Sequence, residues 1–154
     1  MEVTFRLLDF TSAGTDYRPY LAIGSDEKWT WTVERKCANG PCDVRFDAFN
    51  ARLGQTYPSG LRWDASKGTY YSIGVTAEPA AFCKNANGSR IPGSYEVEQT
   101  LFLVPRSTNA GTSGPIATEL IGVRVDKGRP ATGMPASCGT FTEVWGFHAV
   151  RPRG

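Results

Sequence analysis

The chain has 154 residues, the size of one domain, with 40% hydrophobic and 21% charged side chains, enough for a packed core and too few charges for a disordered chain. Its net charge of +2 excludes a strongly electrostatic nucleic-acid binder, and no apolar run nears the ~20 residues of a membrane-spanning helix. Aromatics number 18, and Val, Ile and Thr together 30, against 8 Leu. That balance favours pleated surfaces, because branched and flat side chains lose rotamer freedom on a helix and pack well on a sheet.

Apolar residues recur at a period of two along most of the chain. Val3, Phe5 and Leu7 alternate with Thr4, Arg6 and Leu8, and Trp29, Trp31 and Val33 with Thr30, Thr32 and Glu34. Val44, Phe46 and Ala48 take one face while Asp43, Arg45 and Asp47 take the other. Shorter runs follow at Leu61 to Trp63 and at Tyr71, Ile73 and Val75, then a long one carrying Tyr95, Val97, Leu101 and Leu103. Ile121, Val123 and Val125 form the next, and Val144, Trp145, Phe147 and Val150 the last. The best helical stretch, residues 48–56 (AFNARLGQT), holds one turn at most and stops at Gly54. Polar turn clusters separate the runs at 38–41, 84–94, 105–115 and 128–139; the third reads as a mobile excursion between paired strands, and residues 151–154 read as a frayed tail. The expected fold is all-β: one domain over 1–154, an antiparallel β-sandwich or barrel of about eight to nine strands.

Cys37 continues the phase of Trp29, Trp31 and Val33, and Cys42 that of Val44 and Phe46, on either side of a four-residue turn. Residues in phase across a hairpin become neighbours with Cβ atoms roughly 4.5–5.5 Å apart, close enough to bridge. So small a ring gains only about 2 kcal/mol; linking the remaining Cys83 and Cys138 closes a far longer loop and gains about 4 kcal/mol. Two disulfides, 37–42 and 83–138, are therefore expected. A zinc site completed by His148 is disfavoured because no second close-spaced pair exists, so neither metal nor cofactor is called for. Paired structural cysteines place the chain in an oxidising compartment. Met1 leads straight into a strand, so any leader or membrane anchor would lie upstream of this sequence.

The string Trp29-Thr30-Trp31-Thr32-Val33, then Cys37-Ala38-Asn39-Gly40-Pro41-Cys42-Asp43-Val44, resembles the start of a module found in secreted or membrane-tethered proteins of actinobacteria. Lys67-Gly68-Thr69-Tyr70, Cys83, the strand from Tyr95 to Val104, Ala117-Thr118-Glu119-Leu120-Ile121-Gly122 and Cys138 continue the match over about residues 29–138. The resemblance implies a small disulfide-bonded β domain outside the cytoplasm, and it carries over no catalytic residue.

Chemistry is sparse. His148 is the single histidine; it alternates with Phe147, and no Gly-x-Ser-x-Gly elbow accompanies it, so it reads as a surface side chain. Asp43, Asp47, Asp64, Glu96, Glu98, Asp126 and Glu143 are candidate paired carboxylates, but Asp43 and Asp47 lie about 13 Å apart along one strand with Arg45 between them. Asp16, Asp26 and Glu27 are too dispersed for a calcium loop. The positive hint is aromatic. Trp29 and Trp31 share a face, either as core anchors or as an exposed platform for sugar rings; Trp63, Tyr70, Tyr17 and Tyr20 complete the candidate binding set. The expected function is an extracytoplasmic, non-enzymatic binding or accessory module with a protein or glycan partner. The alternatives are a glycan-binding domain using exposed Trp and Tyr, and a small hydrolase. A glycan binder would expose two coplanar rings, and a hydrolase would bring His148 or two carboxylates within ~6 Å in a cleft.

Overall fold

The structure, a computed structural model, describes residues 1–15, 17–38, 41–84, 87–109 and 116–152, with side chains throughout except at 77–84, 90 and 93. Eight strands follow the eight apolar runs: β1 (Glu2–Ala13), β2 (Asp26–Arg35), β3 (Val44–Asn50), β4 (Gln55–Asp64), β5 (Thr69–Lys84), β6 (Arg90–Asn109), β7 (Ile116–Pro130) and β8 (Thr140–Val150). Each pairs antiparallel with the next, and β8 returns to β1, from Glu2 opposite Val150 to Ala13 opposite Thr140. The result is a closed up-and-down barrel. A sandwich is not formed, because β1 holds both β2 and β8 and no strand edge is left to separate two sheets.

The strands reach further than the turn clusters predict. β6 runs to Asn109 and β7 begins at Ile116, so residues 105–109 of the expected 105–115 excursion are strand, and residues 110–115 lie outside the described set. Residues 51–54 are a tight turn and not a helix: Asn50 Oδ1 accepts the N–H groups of Arg52 (2.9 Å) and Leu53 (3.1 Å), and Gly54 takes a φ of 64°. A single 3-10 turn, Ala136–Cys138, precedes β8. Arg151 donates its N–H to Thr118 O at 2.8 Å, which ties the start of the expected frayed tail to the barrel.

Cys37 and Cys42 form a disulfide with Cα atoms 6.1 Å apart, just past the last rung of the β2–β3 ladder. This is one described disulfide where two were expected. Cys138 is fully buried and is not a free thiol, but the side chain of its expected partner, Cys83, lies outside the described residues.

Inward-facing residues build one main core toward the end of the barrel that carries the disulfide. Val3, Phe5, Leu7, Trp31, Phe46, Leu103, Trp145 and Phe147 are all under 6% exposed. Trp31 stacks on Phe46 with centroids 4.0 Å apart, and Phe147 meets both Phe5 and Trp31. At Gly122 an added Cβ would lie 1.9 Å from Phe102 O, so only glycine lets β6 and β7 approach there. A bulge at Leu8 then shifts the phase of β1: Leu8 turns outward over Gly146, and Phe10 becomes the inward residue near Tyr17 and Phe141.

One seam is thin. β3 and β4 pair from Val44/Leu61 to Asn50/Gln55, whereas β4 and β5 pair only over Arg62–Asp64 with Thr69–Tyr71. Beyond those three pairs the strands part, and Pro58, which has no N–H to donate, sits on the parted stretch of β4.

Candidate functional site

The parted seam opens into the lumen. Above the core, toward the connections after β1, β3 and β7, lies a cavity of about 760 Å³, within the range of small-molecule sites. Its floor is shared with the core through Phe5, Trp31, Phe46, Ala48 and Leu101. Tyr57, Pro58 and Ser59 line it from β4, and Ser72 and Thr76 from β5. The connection between β1 and β2 folds back over it, contributing Tyr17, Arg18 and Tyr20.

That strap is anchored on buried acids. Tyr17 O–H donates to Glu143 Oε1 (3.0 Å), and its ring stacks on Phe141 at 3.9 Å, 10° from parallel. Tyr20 O–H donates to Glu27 Oε2, and its ring lies 6.1 Å from that of Trp145. Thr15 hydrogen-bonds the hydroxyl of Tyr95, whose own proton goes to Cys138 O at 2.6 Å. Glu27 also takes Asn50 Nδ2 (2.8 Å) and Arg52 (3.4 Å). Burial opposes its charge, but its donors together, Tyr20 and Asn50 foremost, outweigh burial and hold the carboxyl below its ordinary range.

The polar wall comes mainly from β7 and β8. Arg124 and Asp126 both face inward, with Arg124 Nη2 3.0 Å from Asp126 Oδ2. The guanidinium is flanked by two rings, 4.7 Å from the Phe5 centroid and 4.8 Å from that of Trp145. Asp126 and Glu143 stand directly opposite each other across β7 and β8, which puts Cβ atoms about 4.5–5.5 Å apart. Burial pushes both carboxyls up, Asp126 against the pull of Arg124 and Glu143 against its bonds from Tyr17 and Trp145 Nε1 (3.1 Å). Four buried atoms of lining residues, Arg124 Nε, Asp126 Oδ1, Trp29 Nε1 and Trp31 Nε1, have no hydrogen-bond partner in the protein.

Four of the six aromatics singled out in the sequence, Tyr17, Tyr20, Trp29 and Trp31, line this one cavity. Trp29 and Trp31 face the lumen, with Trp31 only 3% exposed, so they form no outer platform. Trp63 and Tyr70 lie elsewhere, as a cross-strand pair with centroids 4.7 Å apart at the short β4–β5 ladder. His148 is exposed on the outer face, 2.9 Å from Glu119, opposite in phase to buried Phe147. Asp126 and Glu143 were legible as candidate carboxylates; Arg124, Glu27, Asn50 and Gln99 were missed as lumen residues. A polar residue in the inward phase between Leu120 and Gly128 was the available signal, masked by the apolar alternation of Ile121, Val123 and Val125. Among the described residues no group of three or more His, Cys, Asp and Glu side chains is placed to hold a metal ion, and no helix is long and apolar enough to cross a membrane.

No family model matches this chain, and neither a curated protein nor a solved structure matches it.

Proposed function

We propose that the chain is an extracytoplasmic binding module whose ligand is a small organic molecule held inside the barrel. The observation that carries this reading is the lumen cavity, walled by aromatic rings and supplied with a few buried polar atoms left unpaired by the protein. A protein or glycan gripped by outward rings is less well supported, because Trp29 and Trp31 point into the lumen. The extracytoplasmic placement rests on the Cys37–Cys42 disulfide and on a second pairing, Cys83–Cys138, which belongs to the same proposal. Mass spectrometry of unreduced protein should show a four-proton deficit; two alkylatable thiols in the native protein would remove the second bridge.

Trp29 and Trp31 report on the cavity directly. Titration with a neutral naphthyl amine, followed by tryptophan fluorescence, should saturate at one equivalent. Ser72→Trp, which places a large ring on the cavity wall, should abolish saturation while the circular dichroism stays unchanged. Saturation that survives Ser72→Trp would put the molecule outside the barrel and sink the reading.

A second reading, a small hydrolase, is favoured by the opposed carboxyls of Asp126 and Glu143 in the cavity wall. Its test is turnover of nitrophenyl esters and glycosides. Turnover lost in Glu143→Gln would support it, and no turnover in the wild type would dismiss it.

A further inference from the structure

The charged side chains that line the lumen sum to zero, Arg18, Arg52 and Arg124 against Glu27, Asp126 and Glu143. Arg124 pairs with Asp126 at 3.0 Å, Glu143 takes donors from Tyr17 and Trp145, and Glu27 takes Tyr20, Asn50 and Arg52. Arg52 lies over the Tyr20 ring at 4.5 Å, and Arg18 is exposed and bonded to Tyr17 O. A ligand with a net charge would therefore unbalance the lumen, at a large desolvation penalty. What remains on the wall is neutral hydrogen-bonding capacity of both signs. Asp126 Oδ1 is an acceptor without a donor, and Arg124 Nε, Trp29 Nε1 and Trp31 Nε1 are donors without acceptors. Asp126 is 3% exposed and Trp31 also 3%, so neither finds compensation at the surface. Leaving such groups unpaired is costly, and a molecule that pairs them gains what the empty site forgoes. Arg124 and Asp126 sit two residues apart on one face of β7, so a free donor and a free acceptor stand side by side. The surfaces around them are rings: Phe5 and Trp145 on either side of Arg124, then Trp31 and Trp29 across the floor.

We infer that the lumen selects an uncharged, flat molecule carrying a hydrogen-bond acceptor beside a donor on one edge, as in a lactam, an amide or an imide. Its acceptor meets Arg124 Nε and Trp31 Nε1, and its donor meets Asp126 Oδ1. This assignment rests on the reading of the lumen as a ligand site and specifies the chemistry of what enters it.

Four bicyclic probes of nearly equal size separate the cases by calorimetry on the wild-type chain: 2-quinolinone, a neutral lactam; naphthalene, with no polar edge; 2-naphthoate, an anion; and 2-naphthylmethylammonium, a cation. The lactam should bind at least ~10-fold tighter than naphthalene, and both ions more weakly than the lactam. Trp31→Phe, which removes one of the two donors assigned to the ligand's acceptor and keeps a ring in place, should shrink the lactam-to-naphthalene ratio by ~5-fold. Tightest binding by the naphthoate or the ammonium would overturn the inference, as would equal binding of all four, and in both cases the cavity would still stand as a ligand site. Binding of none of the four would remove the cavity reading itself, and the inference with it. The wild-type ranking decides the matter even if Trp31→Phe does not fold.

Discussion

The two ends of the barrel solve opposite problems with the same strands. At the disulfide end, inward positions of β1, β2, β3 and β8 carry Val3, Trp31, Val44, Phe46 and Phe147, and the lumen is filled. At the strap end, inward positions carry Glu27, Asn50, Arg124, Asp126 and Glu143 beside a smaller apolar cluster of Tyr95, Val97 and Phe141, and part of the lumen is left open. Burial at the first end needs only apolar area, worth roughly 25 cal/mol per Å² removed from water. At the second end each polar group has to be matched before burial is tolerable, which is why Asn50 makes three bonds and Glu143 two. The lesson is a division of labour along the barrel axis: stability concentrated where packing is tight, specificity where polar groups are placed.

Substitutions can break this contrast, and the largest effect belongs to the filled end. Phe147→Ala empties a ring site between Phe5 and Trp31 and should cost about 3–5 kcal/mol in urea unfolding. A loss under about 1 kcal/mol would show that this end is not packed as described. At the hollow end Asn50→Ala strips the buried Asx turn and one donor to Glu27 and should cost about 2–3 kcal/mol, with a weaker response to any lumen ligand. Cys37→Ser with Cys42→Ser should cost about 2 kcal/mol and leave lumen binding unchanged; a change in binding would mean that the two ends are mechanically coupled.

The ends also differ in their response to pH. Asp126 and Glu143 have carboxyls raised by burial, so the folded chain holds more protons than the unfolded one above the ordinary Glu value of about 4.3. Their contribution to stability is fully present below that value and is lost as pH rises through their folded values. Glu27, held low, acts in the opposite sense: its contribution is present above the ordinary value and is lost as pH falls through the folded one. Glu143→Gln should therefore flatten the decline of stability with rising pH by at most about 1.4 kcal/mol per pH unit, the slope of one proton, as read from urea midpoints. A decline of unchanged steepness would assign it to other groups. The smallest effect is expected outside the barrel, where His148→Ala breaks an exposed pair with Glu119 and should shift stability by less than about 0.5 kcal/mol.

How far the sequence could be read follows the same contrast. The alternation of Val3, Phe5 and Leu7 and of Val44, Phe46 and Ala48 marks inward faces correctly, because there the lumen is apolar. On β5 and β7 the apolar phase points the other way. Ile73 is 65% and Val75 67% exposed, while Ser72 and Thr76 line the cavity. On β7, Ile121, Val123 and Val125 alternate with the inward Arg124 and Asp126. Branched residues there satisfy strand propensity on the outer face, and the register imposed by β6 and β8 turns the polar residues inward. Periodicity gives strands their existence but not their sense when the interior is itself polar. Barrel closure depends on the pairing of β1 with β8, the first and last strands, and no local signal in either carries that partnership.

The three-pair seam between β4 and β5 has a consequence in time. It is the shortest ladder in a ring whose other joins are longer, so opening events begin there, and amide protons of β4 and β5 near it should exchange with deuterium before those of β6 and β7. A molecule lodged between Ser59 and Ser72 would bridge the two strands where they part. It would act as a missing rung, slowing exchange along that seam more than anywhere else in the barrel.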